Sequence, residues 1–250
     1  MAKPRTYKTE AVVLKRIDLG EADSIVILYT PNLGKVRAVA RGVRKLKSKL
    51  GGHLDLLTRT ALLMSQGQTL DVISQGQTIE SFFRLKSDLK QISCALYMAE
   101  LVDQFTVEQV ENYPVYNLLL TDLNWLSEAP DSDIVLRHFE LHLLGHLGYR
   151  PELYNCLECK TPLTPQKNLF SAAGGGIICP SCAGSETAVR YVSVDALKVM
   201  RFLLNNDRVL AGRLRINSEV SREVEQLLRW YIRYILDREV KSLRFLDSLR

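Results

Sequence analysis

The first eighty residues alternate apolar and polar positions with the period of two that is typical of β-strands. Branched apolar side chains dominate the runs, and Gly, Pro, Asn and Ser punctuate them. The predicted strands lie at residues 11–17, 24–30, 35–41, 60–65 and 69–74. Five short strands joined by glycine-rich turns favour a small barrel, and the OB-fold is the five-stranded candidate.

One pentapeptide is repeated within this region. Ser-Gln-Gly-Gln-Thr occurs at residues 65–69 and again at 74–78. Its composition is that of a turn, so we predict a turn at both places. Nothing else in the chain repeats, so a repeat architecture is not indicated.

From about residue 81 the apolar positions recur every three to four residues, which is the helical period. Helices are predicted from Leu89 with Ser87 as N-cap, from Pro114, over 134–147, over 194–205 and over about 218–237. Apolar side chains surround the helix at 134–147 on nearly all sides, so we expect it at the centre of a bundle. The predicted fold class is α+β.

Four cysteines form two Cys-x-x-Cys pairs, Cys156 with Cys159 and Cys179 with Cys182, separated by nineteen residues. A two-residue spacer lets both thiolates of a turn reach one ion, and four thiolates complete the shell of a structural zinc. We therefore expect one structural zinc per chain, carried on a short hairpin, with no coordination position left for a substrate. The alternatives are a redox dithiol or chance spacing. The fifth cysteine, Cys94, lies in a helical pattern and is expected in the core.

These patterns divide the chain into three predicted parts. We expect an OB-fold nucleic-acid-binding domain at residues 1–80, a helical domain at 81–150 and 190–250, and a four-cysteine zinc insert at 151–189. The first residues contain no apolar signal segment, and no apolar run reaches the length of a membrane span. Together with an odd cysteine count, this predicts a cytoplasmic protein.

The charge is distributed unevenly. Residues 1–50 contain twelve Lys and Arg against four Asp and Glu, whereas the rest of the chain contains twenty-one against twenty-four. The basic character therefore belongs to the first fifth of the chain. A localised excess of this kind predicts a face that binds a polyanion.

The third strand and the loop after it carry this excess. Lys35, Arg37 and Arg41 fall at odd positions and small apolar residues fall at the even positions between them, so we predict that the cations share the solvent face. The candidate DNA-contacting residues are Lys15, Arg16, Lys35, Arg37, Arg41, Arg44, Lys45, Lys47 and Lys49. The nearest aromatics are Tyr7 and Tyr29, so binding should depend on phosphate charge more than on base stacking. The alternative is that these cations only discourage strand-edge aggregation.

Two further patterns suggest chemistry less strongly. His138, His142 and His146 share one helix face, but no His-Glu-x-x-His motif is present, and a polar seam on a buried helix is the preferred interpretation. His-x-Glu at 138–140 followed by Cys-x-x-Cys resembles the zinc deaminase signature, yet the proline expected before the cysteine pair is absent. No P-loop, dinucleotide or serine-hydrolase motif occurs.

The order of basic barrel, helices, four-cysteine insert and helices resembles the RecO family of bacterial recombination mediators over about residues 8–185. The matching segments include Gly20-Glu-Ala-Asp, Tyr29-Thr-Pro-Asn-Leu-Gly-Lys, Phe139-Glu-Leu-His-Leu-Leu-Gly-His-Leu-Gly-Tyr-Arg-Pro and Cys179-Pro-Ser-Cys. Within the resemblance, Lys35, Arg37 and Arg41 match the basic third strand of the family.

The resemblance implies a non-enzymatic function with no catalytic residue. RecO-like proteins bind single- and double-stranded DNA without sequence choice and anneal complementary strands. They contact RecR and the acidic tail of single-stranded-DNA-binding protein, and they help place RecA on gapped DNA. Two alternatives remain, namely an RNA-binding transcription or translation factor with a zinc ribbon and an OB-fold, and a zinc hydrolase or deaminase.

The second half of the chain offers candidates for a protein contact. An acidic tail that ends in apolar residues needs an apolar groove with a cationic rim. Arg201, Arg208, Arg213 and Arg215 are candidates for the rim, beside apolar Val199, Phe202 and Leu203. The alternative is that these arginines are simply solvated.

Overall fold

The computed structural model describes residues 6–129, 131–184 and 188–249. Within these ranges the backbone forms two compact units. The first contains the described residues up to Ser127 and from Lys241 onward, and the second runs from Glu128 to Val240. The chain therefore leaves the first unit and later returns to it.

Five strands of the first unit close into a barrel in the order β1-β2-β3-β5-β4. Their bounds are β1 Thr6–Leu19, β2 Asp23–Thr30, β3 Gly34–Ala40, β4 Arg59–Ser65 and β5 Asp71–Glu80. Neighbouring strands are antiparallel except β3 and β5, which pair in parallel through Ala38 with Asp71 and Val39 with Val72. The predicted OB-type barrel is confirmed.

The even positions of β3 face the barrel interior, as predicted. Val36, Ala38 and Ala40 are buried and pack in one cluster with Val26 and Leu28 of β2. Burial of a Val or Leu side chain stabilises the fold by roughly 1.5–3 kcal/mol. The alternation in β3 therefore fixes which of its residues face the core.

The fifth strand differs from the prediction. The repeated pentapeptide forms a turn only at its first copy, where residues 66–70 connect β4 to β5. The second copy, at 74–78, lies inside β5 and pairs with β4. On the other edge of β5, the amide of Thr78 donates to Nδ1 of His53 at 3.2 Å. The predicted second turn is wrong because the strand is held by its ladder and by a side chain from the β3–β4 loop.

Helices follow the barrel. Their bounds are α1 Phe83–Ser87, α2 Leu89–Phe105, α3 Tyr113–Glu128, α4 Ser132–His146, α5 Val194–Asn205, α6 Arg208–Ala211, α7 Ser218–Leu236 and α8 Ser242–Asp247. The N-cap predicted at Ser87 is wrong by one residue, because the Asp88 side chain accepts the Gln91 amide at 2.8 Å and Ser87 ends α1. In the described part of the chain, no helix has both the length and the apolar character needed to cross a membrane.

The first unit is completed by α8, which packs on α2. The Glu100 carboxylate on α2 accepts the backbone amides of Lys241 at 2.8 Å and Ser242 at 2.7 Å. A carboxylate at the start of a helix also interacts favourably with the helix dipole. This contact fastens the returning chain to the first unit.

The second unit is organised around α4, which is buried over most of its length and contacts α5, α6 and α7. Its central position is therefore confirmed. A three-stranded sheet in the order β7-β6-β8 completes the unit, with β6 Asn168–Ser171, β7 Gly176–Ile178 and β8 Val189–Val192. The antiparallel pair β6 and β7 is the hairpin predicted between the two cysteine pairs.

Candidate nucleic-acid interface and metal centre

The outward face of β1, β2 and β3 contains several of the predicted DNA-contacting residues. The strand register aligns this face in three rows: Val12–Tyr29–Lys35, Lys15–Ile27–Arg37 and Ile17–Ile25–Val39. The first row is buried, in the part of the first unit where α2 packs against β1. Exposure increases along the face, and Ile17 in the third row is 38% exposed. Only one end of this face is therefore accessible to a ligand.

The predicted solvent exposure of Lys35 is wrong. Its side chain points outward as the alternation requires, but it is only 9% exposed. The Lys35 ammonium donates to the backbone carbonyl of Asp103 and lies 3.2 Å from the Asp103 carboxylate, at the end of α2. The period-two pattern identifies the outer face of a strand, but it does not show that a helix covers part of that face.

The segment after α2 lies against the start of β3. The Gln109 amide donates to the Lys35 carbonyl at 2.8 Å. Gly34 has φ of +61°, and a Cβ added there would lie 1.9 Å from the carbonyl oxygen of Val110. A glycine is therefore required at this close approach. The same segment places the Glu108 carboxylate 3.6 Å from the Arg37 guanidinium, with both side chains about half exposed.

The basic loop after β3 is anchored to the turn between β1 and β2. The Arg44 amide donates to the Ala22 carbonyl at 2.9 Å, and its guanidinium donates to the Gly20 carbonyl at 3.0 Å. The same guanidinium lies 3.4 Å from the Asp18 carboxylate. Arg44 therefore acts partly as an anchor that holds the loop beside the barrel face.

Most of the remaining cations are exposed. Among the described residues, no carboxylate lies within ion-pair distance of Lys15, Arg41, Lys45, Lys47 or Lys49. All five side chains are exposed to solvent. This group of five is called the open cations below. Cations without acidic partners can exchange counterions for phosphates.

Arg16 lies on the other side of β1 from Lys15. The register between β1 and β2 shifts between Val13 and Lys15. Arg16 then pairs with Val26, a core residue of the barrel, and its side chain is only partly exposed. The predicted pair of adjacent cations is therefore divided between two faces.

The two aromatics nearest this face are not available for stacking. Tyr29 is fully buried, and burial raises the pKa of its phenol to about 12. Tyr7 donates its hydroxyl to the Asp71 carboxylate. Burial and this hydrogen bond raise the pKa of Tyr7 above its ordinary value. The positions of Tyr7 and Tyr29 agree with the prediction that this face has few aromatic side chains for base stacking.

One partly buried cluster on the first unit has no signal in the sequence. The Arg59 guanidinium donates to both carboxylate oxygens of Glu10, at 3.0 and 2.8 Å, and the Tyr116 hydroxyl donates to the same carboxylate at 2.9 Å. The three residues are more than forty positions apart along the chain, so no spacing rule could identify them. The cluster joins α3 to the barrel.

The four cysteines converge in the second unit. Their four Sγ atoms all lie within 4.8 Å of one another, and Cys159 and Cys179 are 3.9 Å apart. A tetrahedral zinc with Zn–S bonds of about 2.3 Å places its sulfurs about 3.8 Å apart. The Cys179 amide also donates to the Cys156 sulfur at 3.3 Å. The donor set and its spacing therefore fit a four-coordinate metal ion.

The thiols have different proton affinities. Hydrogen bonds from the Thr161 side chain and amide lower the pKa of Cys159 to about 6. Burial raises the pKa of Cys156, but amide hydrogen bonds, that of Cys179 first, hold it below the ordinary value. Hydrogen bonding to Cys179 and then Cys159 raises the pKa of Cys182 to about 12. A metal ion bound by all four sulfurs would balance the charge of the thiolates and release their protons.

Two of the three histidines of α4, His138 and His142, lie in the helix packing, whereas His146 is exposed. The His138 and His142 rings lie 4.1 Å apart between centroids, and His142 and His146 lie 6.5 Å apart. Nε2 of His142 is 3.0 Å from the Leu203 carbonyl. Among the described residues, the cysteine cluster is the grouping that fits a metal ion. The geometry agrees with a polar seam on a buried helix.

The arginines predicted around an apolar groove have different environments. The Arg201 guanidinium donates to the Leu153 carbonyl at 2.8 Å and lies over the Tyr154 ring at 4.7 Å. Val199 and Leu203 are buried, so they do not line a groove. Phe202 and Arg208 are half-buried, whereas Arg213 and Arg215 are exposed. The apolar side chains exposed here are instead Val209 at 63% and Leu210 at 43%, which the sequence pattern did not identify.

Comparison with known proteins matches both parts of the chain. Residues 1–82 match the family model described as Recombination protein O N terminal, and residues 86–244 match Recombination protein O C terminal. The chain belongs to the RecO family. A DNA repair protein RecO of Roseiflexus sp. (strain RS-1) is 44% identical over 99% of this chain and 87% of that protein. DNA repair protein RecO of Dehalococcoides mccartyi strain 195 is 40% identical over 100% and 98%.

Within the RecO family assignment, the two family regions correspond to different candidate sites. The N-terminal region contains the complete barrel and all five open cations. The C-terminal region contains the four cysteines and the arginines of α5 and α6. Both candidate sites therefore lie in a chain whose relatives are named DNA repair proteins.

Proposed function

We propose that the chain is a recombination mediator that binds single- and double-stranded DNA, anneals complementary strands and acts without a catalytic residue. The observation that supports this most directly is the group of open cations beside the accessible end of the barrel face. The OB barrel at residues 1–80 is the DNA-binding domain in this proposal. The place of action is the cytoplasm, at the nucleoid.

Annealing follows from the same charges. Two strands that approach each other are opposed by phosphate repulsion, and cations on a protein surface lower it by releasing counterions from both strands. Contacts to phosphate position DNA without sequence information. Lys15 and Arg41 and the three loop lysines therefore support annealing of any complementary pair.

A double substitution tests the location of the DNA site. Arg41→Gln with Lys45→Gln should weaken binding to all sequences and reduce the slope of log K against log salt by about 0.9 per lost contact on duplex. Arg84→Gln with Lys90→Gln is the matched control, because it removes two exposed charges from α1 and α2. Equal affinities for both double variants would place the site elsewhere.

The RNA-binding alternative is tested with the same oligonucleotide made as RNA. Tighter binding to RNA than to DNA would favour that alternative.

We further propose that the protein works with RecR, helps to load RecA during gap repair, and binds the acidic tail of single-stranded-DNA-binding protein. Strand annealing on DNA coated with that protein is the functional test.

For the tail contact, Arg208, Arg213 and Arg215 supply charge near exposed Val209 and Leu210. Phe202 remains a candidate for an apolar contact with the tail. Arg201 is held by its hydrogen bond to the Leu153 carbonyl, so we assign it a supporting role beside this surface. Arg213→Glu should weaken binding of a labelled tail peptide, and unchanged affinity would argue against this location.

We also propose that the metal at the cysteine cluster is zinc, one per chain, in a structural role within residues 151–189. Thiolate ligands favour zinc, copper(I) and iron–sulfur centres, and a closed tetrahedral set is typical of structural zinc. The sulfur spacing supports this assignment. Metal analysis of the purified protein should give one zinc per chain, and iron or copper in its place would contradict it.

A further inference from the structure

The second unit has an aromatic groove that the proposed function does not yet use. Trp230 and Tyr234 lie one turn apart on the outer side of α7, and Tyr234 is 48% exposed. An open groove of about 610 Å³ is lined by Trp230, Arg233, Tyr234 and Asp237. From β8, the Arg190 guanidinium lies 4.7 Å from the centre of the Trp230 ring.

The helix period separates this outer side from the core. Leu227, Leu228 and Tyr231 are buried, whereas Arg233 is exposed. The Trp230 ring is partly exposed and packs against the Phe170 ring in an edge-to-face arrangement, at 6.3 Å between ring centres and 70° between planes. The indole is therefore held between Arg190 and Phe170, and the part of its surface that faces the groove remains accessible.

Charges of both signs surround the rings. Arg190 is exposed and lies over Trp230, and the Arg233 side chain is 69% exposed with Glu239 at 4.0 Å, the limit of an ion pair. The two guanidinium groups beside the rings are therefore those of Arg190 and Arg233. Asp237 ends the groove with one carboxylate, which repels phosphate but can accept a hydrogen bond from the amino group of a base.

We propose that this groove stacks unpaired bases of single-stranded DNA, with the surrounding guanidinium groups on the backbone phosphates. Single-strand binding sites combine aromatic side chains with cations, and stacking tolerates every base because each has a π-face. In a duplex the base faces are already covered, so the groove distinguishes unpaired from paired strands. The barrel face does not supply this chemistry, since Tyr29 is buried and Tyr7 is engaged with Asp71.

This inference rests on the proposed DNA-binding function and deepens it. The open cations bind phosphate of either form of DNA, whereas the groove binds only DNA whose bases are unpaired. A protein with both surfaces can hold one unpaired strand by its bases and attract a second by its charge. Annealing needs both contacts, because one strand must be held while a complementary strand approaches it.

Tryptophan fluorescence provides a direct test, because the chain contains two tryptophans, Trp125 and Trp230. In the full chain with Trp125→Phe, all tryptophan emission comes from Trp230. Oligo(dT) should quench this emission on binding, because stacking on a base quenches an indole. A duplex of the same length should bind without that quenching. If saturating oligo(dT) leaves the emission unchanged, the proposal is wrong.

A second test measures affinity instead of tryptophan emission, and it changes an exposed side chain that is not part of the core. Tyr234→Ala removes an exposed ring and should weaken binding of oligo(dT) by on the order of tenfold, with duplex affinity unchanged. Tyr113→Ala, at a tyrosine 54% exposed on α3, is the matched control and should bind both DNAs normally. Normal oligo(dT) affinity in Tyr234→Ala would overturn the proposal while leaving DNA binding by the barrel intact. A wild-type chain that binds neither DNA would instead refute the proposed function itself.

Discussion

The ion pair between Arg37 and Glu108 is expected to limit DNA binding at the barrel face. Any phosphate that uses Arg37 must first replace the Glu108 carboxylate, which lies 3.6 Å away. The two side chains are 40% and 47% exposed, so solvent screens the pair and its contribution is only about 0.2–1 kcal/mol. Glu108→Gln removes this competition. Affinity should therefore rise by about 1.4- to 5-fold, with a stability loss within the same range of about 0.2–1 kcal/mol.

Fluorescence anisotropy of a labelled duplex between about 50 and 200 mM salt measures both the affinity and its salt slope. The slope should become steeper by up to about 0.9, because one more phosphate is neutralised. Glu111→Gln is the matched control, since it removes the same charge from an exposed position three residues along the segment. If both variants bind with equal affinity and slope, the effect is one of net charge and the reasoning about Arg37 is refuted.

Three further predictions concern stability and metal content. Lys35→Met should lower the free energy of unfolding by about 1–3 kcal/mol in urea denaturation, because the Asp103 carboxylate loses its partner while largely covered; an unchanged midpoint would contradict this. Gly34→Ala should lower thermal stability by a similar amount, about 1–3 kcal/mol, because its Cβ would meet the Val110 carbonyl; a wild-type melting temperature would show that the contact relaxes. Cys159→Ser should reduce bound zinc and stability together, and full metal retention would exclude Cys159 as a ligand.

The sequence predicts the parts of this structure that depend on local pattern. The inward positions of β3 follow from alternation, and the convergence of the four cysteines follows from two tight turns carried on a hairpin. The helix at 194–205 also has the predicted bounds. In each case the residues that decide the outcome are neighbours in the sequence or pair across one hairpin.

Features that depend on contacts between distant segments were not predictable. Lys35 has the pattern of a solvent-facing residue, and only the path of α2 shows that Asp103 covers it. The second Ser-Gln-Gly-Gln-Thr has the composition of a turn but forms part of β5, because pairing with β4 outweighs local preference. The partly exposed Trp230 and the buried Leu203 both lie in helical apolar patterns, and only packing distinguishes them.

The carboxylate of Glu100 that receives the first turn of α8 has a consequence for synthesis on the ribosome. The partner surface of α2 is made early, but α8 emerges only after the whole of the second unit has been translated. At about 5–20 residues per second, the roughly 110 intervening residues take on the order of 5–20 s. During that time the nascent barrel exposes an unfilled docking surface on α2. The first unit can therefore be completed only after the whole of the second unit has been translated.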